Sequence, residues 1–181
     1  MPRKTLARAG LKSGKRRTPG RDVEILATLL VAYPQVSRVT FDPETKTLAL
    51  MFLCRGPASQ RQRAAIVRAY LDSIEVYMQL IKRVPSVVKA SWEKMGDLYC
   101  FQVERDVASI TPAELNVTAE LVAERAELVA GDEMSTEFDS EDVAWSARLF
   151  LQEMLDQVRN LQSSRKLVAL REGEKVLVFD R

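Results

Sequence analysis

The chain has 181 residues, of which 46% are hydrophobic and 29% are charged, a balance typical of a globular protein with one buried core. It contains no histidine, which excludes histidine-based nucleophilic sites, histidine general bases and the usual transition-metal sites. The net charge of +2 is unevenly distributed. Residues 1–22 carry eight basic side chains and one acid, a net of +7, whereas the remaining residues carry 19 basic and 24 acidic side chains, a net of −5.

Residues 1–21 form a basic N-terminal arm, rich in Lys, Arg and Gly and without apolar periodicity, so we expect no packed structure there. Concentrated positive charge without acids is typical of segments that contact the phosphates of a nucleic acid. The arm therefore predicts binding to RNA or a ribonucleoprotein through Arg3, Lys4, Arg8, Lys12, Lys15, Arg16, Arg17 and Arg21. A solubilising tail and an organelle-targeting segment are the alternatives.

A single domain is expected from residue 22 to residue 181. Asp22 is placed to cap a first helix that Pro34 ends, and a β-hairpin follows over residues 36–52. Ser59 and Gln62 have the spacing of a capping box, which predicts the start of a second helix that runs to about residue 82.

The second half of the chain repeats this alternation. A second hairpin is predicted over residues 87–103, with Gly96 in its turn. The segment 111–114, Thr-Pro-Ala-Glu, predicts a helix with a Thr cap, a proline at its first position and a reciprocal acid at its third. A fourth helix is expected at about 141–162, before a last hairpin over 166–181. The apolar stripe of the fourth helix would comprise Val143, Ala147, Phe150, Met154, Val158 and Leu161.

Helices that alternate with hairpins predict an α+β domain, in which three hairpins build a largely antiparallel sheet and the helices pack on one face. The first helix and hairpin resemble the helix–strand–strand core of ferredoxin-like domains. That resemblance covers about 30 residues and carries no functional motif.

Motifs for nucleotide binding and catalysis are missing from the sequence. There is no Walker A loop, no GxGxxG and no GxSxG, so we predict no cofactor and assign no catalytic residue. The acidic segment 132–142 does not fit a calcium loop and is interpreted as a solvated connector, so no metal site is predicted. Cys54 and Cys100 each lie within an apolar run, which predicts two buried, unpaired thiols.

A second basic group lies where the first hairpin leads into the second helix, close to the helix N-terminus. It is a candidate secondary anion site, although a solvated helix face explains the same pattern. Its members are Arg55, Arg61, Arg63 and Arg68.

The leading hypothesis is a non-enzymatic accessory protein that binds RNA or a ribonucleoprotein through its arm, while the folded body contacts protein. The second is a homo-oligomeric or scaffold module that uses sheet edges without nucleic acid. The third is an enzyme that works through carboxylates and a divalent metal. No apolar stretch is long enough to span a membrane, and we expect a cytoplasmic protein without a membrane partner.

Overall fold

The computed structural model describes residues 21–57, 59–129, 141–160, 165–172 and 175–180. Within them, the chain forms four helices and six strands. In chain order these are α1 (Arg21–Ala32), β1 (Arg38–Asp42), β2 (Thr47–Cys54), α2 (Gln60–Leu80), β3 (Val88–Met95), β4 (Leu98–Asp106), α3 (Pro112–Arg125), α4 (Glu141–Arg159), β5 (Leu167–Glu172) and β6 (Lys175–Asp180).

The six strands form one antiparallel sheet in the order β3-β4-β2-β1-β5-β6. The pairs β1–β2, β3–β4 and β5–β6 are hairpins, which confirms the predicted α+β class and the three hairpins. In the turn of the β3–β4 hairpin, Gly96 has a φ of +61°, a conformation that favours glycine. Residues 1–20 of the arm and residues 132–140 of the acidic segment lie outside the described residues, while Glu141 and Asp142 begin α4.

The hydrophobic core lies between one face of the sheet and the helices. Alternate side chains of each strand join it, such as Leu48, Leu50 and Phe52 of β2, and α1 contributes Ile25 and Leu29 among others. Since side chains of a strand alternate between faces, the remaining strand residues point to the opposite side. No described helix packs on that side, which we call the open face.

Two of the three predicted caps are confirmed, whereas Asp22, which was predicted to cap α1, is the second residue of that helix. The Ser59 hydroxyl accepts a hydrogen bond from the backbone N–H of Gln62 at 3.2 Å, as expected for the start of α2. Thr111 caps α3 in the same way, by accepting from the N–H of Glu114 at 3.2 Å. The side chain of Glu114, however, was predicted to bond back to the cap and does not. It is buried against Arg105 of β4 instead.

The Arg105 guanidinium is the centre of a buried ion network and is only 1% exposed. It forms a bidentate pair with Glu114, whose Oε2 accepts from Nη2 at 3.0 Å, and an ion pair with Asp106 at 2.8 Å. The Val87 carbonyl and the Ser109 hydroxyl accept its remaining N–H bonds, at 2.6 Å and 3.1 Å. All five guanidinium donors are therefore satisfied, which is the condition for burying such a group.

The helix α4 packs against α1 with a face that shares Met154 and Val158 with the predicted stripe but excludes Phe150. Leu151, Leu155 and Val158 are buried, whereas Phe150, which was placed in the stripe, is 57% exposed. The reason is that apolar residues occur at both 150/154 and 151/155, so the sequence offers two stripes one residue apart. Only the contact with the rest of the core selects between them.

Candidate functional site on the open face

The open face is built from the alternate side chains of all six strands, and the strand register arranges them in rows across the sheet. One row runs Phe179, Val168, Thr40, Ala49, Glu104 and Lys89, from β6 to β3. The neighbouring row runs Leu177, Leu170, Arg38, Met51, Gln102 and Ser91. The first row has large side chains at its ends and small ones, Thr40 and Ala49, at its centre. A depression between the large side chains follows from that order.

This depression is a cavity of about 660 Å³, within the size range of small-molecule sites, and we call it the trough. Its lining is mainly polar. The residues are Arg38, Thr40, Asp42, Thr45, Thr47, Ala49, Gln102, Glu104, Lys166, Val168 and Phe179.

Two ion pairs lie in or beside the trough. Lys166 Nζ lies 3.2 Å from Asp42 Oδ2, and Lys89 Nζ lies 3.3 Å from Glu104 Oε2. Burial raises the pKa of Asp42, but the Lys166 hydrogen bond and the backbone N–H groups of the turn lower it further, so the net shift is downward. Asp42 is therefore a carboxylate at neutral pH, and each pair contributes no net charge.

Arg38 is the one charged side chain lining the trough to which the described residues provide no counter-charge. It is half-buried, and its Nε is buried without a hydrogen-bond acceptor among those residues. Its register neighbours on either side are Met51 and Leu170, which offer no acceptor side chain. Burial and the nearby Glu93 carboxylate raise the pKa of the Cys100 thiol, and the positive charge of Arg38 offsets part of that rise.

The predicted arm residues Arg3, Lys4, Arg8, Lys12, Lys15, Arg16 and Arg17 lie outside the described residues, and Arg21 is the first residue of α1. The four arginines of the secondary anion site are described, and most have partners. Arg55 pairs with Glu127 at 3.8 Å and Arg68 with Asp72 at 3.7 Å, while the Arg63 guanidinium lies 4.6 Å from the centre of the Tyr99 ring.

These contacts direct the arginines of the secondary group to different partners. Arg61 and Arg68 are exposed on α2, whereas Arg63 is half-buried against β4 and donates to the Pro57 carbonyl at 3.2 Å. Whether the four arginines bind an anion together is not tested by these contacts, so the common anion site stays a prediction.

The cysteines are buried and free, as the sequence predicts. Cys54 is 0% exposed and Cys100 is 2% exposed, and they point to opposite faces of the sheet, since Cys54 pairs in register with Tyr99 and Cys100 with Leu53. Among the residues described, no three His, Cys, Asp or Glu side chains are grouped so as to hold a metal ion. None of the described helices is long and apolar enough to cross a membrane.

Sequence reasoning did not find the trough. Its only local signal is the alternation in β1, where Arg38, Thr40 and Asp42 occupy every second position. Comparison of the chain with protein-family models, with curated proteins and with solved structures gives no match.

Proposed function

We propose that this is a non-enzymatic accessory protein that binds RNA, alone or within a ribonucleoprotein, through its basic arm. The observation that carries the proposal is the division of charge, +7 in residues 1–22 against −5 in the rest of the chain. An acidic body contributes little to phosphate binding, so the electrostatic attraction would come from the arm. The folded body would contact protein.

The attachment of the arm makes the proposal testable by truncation. The first core residue after the arm is Ile25 of α1, followed by Leu26. Deletion of residues 1–20 therefore removes none of the buried apolar side chains of the described domain, and we expect residues 21–181 to fold.

The experiment measures the affinity for a fluorescent single-stranded RNA by anisotropy over a range of salt concentrations. Each neutralised phosphate on a single strand contributes about −0.7 to the slope of log K against log salt, so about five engaged side chains give roughly −3.5. Deletion of residues 1–20 should abolish nearly all of this slope. The double substitution Arg16→Gln, Arg17→Gln should reduce it by roughly 1.4.

The matched control is Arg61→Gln, Arg68→Gln, which removes the same charge from the exposed face of α2 and should leave the slope unchanged. If the truncated protein keeps the affinity and the control loses it, the RNA site lies on α2 instead. Absence of binding by the intact protein at low salt would refute the nucleic-acid function.

A second candidate function, a homo-oligomeric interaction module, is favoured by the outer edge of the sheet at β6. The described residues provide no strand that pairs with this edge, and its apolar side chains Leu177 and Phe179 are 42% and 44% exposed. The opposite edge, β3, instead exposes the charged residues Lys89, Glu93 and Lys94, which discourage strand addition.

Analytical ultracentrifugation of the nuclease-treated full chain tests this candidate. A dimer through β6 should dissociate in Leu177→Lys and persist in Ser91→Lys, which places the same charge on the other edge strand. A monomeric wild-type protein at high concentration would contradict it.

A further inference from the structure

We propose that the trough on the open face binds a small molecule with a single anionic group, a carboxylate or a phosphate, and that Arg38 binds that group. This site is separate from the arm and independent of the proposed RNA binding.

Charge complementarity within the trough favours an anionic ligand. Lys166 of the lining is paired with Asp42, and Glu104 is paired with Lys89, which lies just outside the lining, so among the described residues Arg38 is the one cation of the lining without an ion-pair partner. A half-buried guanidinium whose Nε has no acceptor in the described part of the chain carries a desolvation cost that an anion would offset. One anionic group would balance the positive charge of Arg38 and accept a hydrogen bond from its Nε.

The rest of the lining suits a polar ligand. Thr40, Thr45 and Thr47 supply hydroxyl groups, and Gln102 supplies an amide, so donors and acceptors surround the floor at Ala49. Val168 and Phe179 form an apolar wall on the β5–β6 side, against which a nonpolar part of the ligand would pack. Few oriented polar groups beside an apolar wall are the usual composition of a small-molecule site.

The acids of the trough favour a compact ligand over a polyanion such as RNA. A phosphate backbone across the open face would pass the carboxylates of Asp42 and Glu104, and the two lysines nearby are already paired with them. Repulsion by these acids would oppose the binding of successive phosphates, whereas a compact molecule with one anionic group would meet only Arg38.

Amide-resolved NMR of the full chain tests the proposal, because it separates the trough from the arm. The probes are sodium acetate and sodium phosphate, titrated against sodium chloride at equal ionic strength. We expect saturable shifts of the Thr40 and Ala49 amides and of the Arg38 Nε–H with at least one of the two probes.

Two variants and one control connect the shifts to the trough. Arg38→Gln removes the positive charge and should weaken binding at least tenfold. Ala49→Leu keeps the charge but fills the floor, and it should have the same effect. Arg125→Gln, on the exposed end of α3, makes the same change in net charge and should leave the affinity unchanged.

Three outcomes would overturn the proposal: no saturable shift with either probe, unchanged affinity in Arg38→Gln, or shifts only with oligouridylate RNA. In the last case, Arg38 would belong to a nucleic-acid surface. Loss of RNA binding on deletion of the arm, with retained acetate or phosphate shifts, would support the two sites independently.

Discussion

Replacement of Glu114 by Gln removes one charge from the buried ion network and keeps the volume of the side chain. In the native protein, both oxygens of Glu114 accept from Arg105, and the two side chains are each 1% exposed. In Glu114→Gln, the amide can accept at one atom only, and its NH₂ group faces a guanidinium donor. Arg105 then keeps Asp106 as its single counter-charge.

The expected cost is large because the charge that remains cannot reach water. Loss of one partner of a buried ion pair destabilises a protein by about 3–5 kcal/mol. For a chain of this size, about 1 kcal/mol lowers the melting temperature by roughly 2–4 °C, so we expect a fall of roughly 10 °C. Such a loss is a substantial part of the total stability of about 5–15 kcal/mol that is typical of folded proteins.

Urea denaturation followed by circular dichroism measures this change in the free energy of unfolding. The control is Asp72→Asn, which breaks the ion pair between Asp72 and Arg68. This pair lies at the surface, where the Arg68 side chain is 85% exposed and the Asp72 side chain 66%. It should change stability by less than about 1 kcal/mol. If Glu114→Gln and Asp72→Asn unfold at the same urea midpoint, the network does not stabilise the fold as we infer.

Three further predictions concern buried polar groups. Burial raises the pKa of Asp106, but hydrogen bonds from a serine, backbone N–H groups and the neighbouring guanidinium lower it overall. Its contribution to stability is therefore present above about pH 4 and is lost as the pH falls through the lowered folded-state pKa, so Asp106→Asn should flatten the decline in the urea midpoint below pH 4. The buried hydroxyl of Tyr70 has no hydrogen-bond partner among the described residues, so Tyr70→Phe should leave stability unchanged or raise it by about 1 kcal/mol. Tyr33→Phe should lower it by about 1 kcal/mol, because that hydroxyl donates to an asparagine oxygen at 2.8 Å; equal effects of the two substitutions would contradict the assignment. Burial raises the pKa of Cys54 to about 12 and also raises that of Cys100, so neither thiol should react with a maleimide at pH 8 until urea unfolds the chain. Labelling of the native protein at the rate of the unfolded chain would refute this.

The sequence predicts the elements of this fold well because short-range rules define them. Gly96 in the second hairpin, the Ser59 cap and the Thr111 cap each depend on contacts within about four residues. Those contacts can be recognised without knowledge of the tertiary structure, and the α+β class follows from their order.

Long-range contacts decide the features that the sequence left open or predicted wrongly. Glu114 has the position of a reciprocal capping acid, but a bidentate pair with a buried guanidinium satisfies more donors than a bond to the cap. The partner, Arg105, is the last residue of an otherwise apolar face of β4, so no periodic pattern predicts its burial. Likewise, the packed face of α4 depends on α1, more than 100 residues away in the chain.

The trough was not predictable for the same reason. In β1 alone, Arg38 and Thr40 are two polar residues at alternate positions, which is the ordinary pattern of a solvated strand face. Only the strand order places β1 between β2 and β5, so that Arg38 lies between Met51 and Leu170 and Thr40 lies beside Ala49. The concavity and the missing counter-charge arise from that neighbourhood.

The position of the trough also separates it from the arm. Its lining residues come from β1, β2, β4 and β6, from the β1–β2 turn, and from β5 with the residue before it, and none belongs to α1, from which the arm extends. Because α1 covers the core on the other face of the sheet, deletion of residues 1–20 removes positive charge without removing any group that forms the trough. A ligand of the trough should therefore bind the truncated and the full-length protein with similar affinity, whereas RNA held by the arm should not. If one deletion abolished both, the arm itself would supply part of the trough, and the two activities would belong to one site.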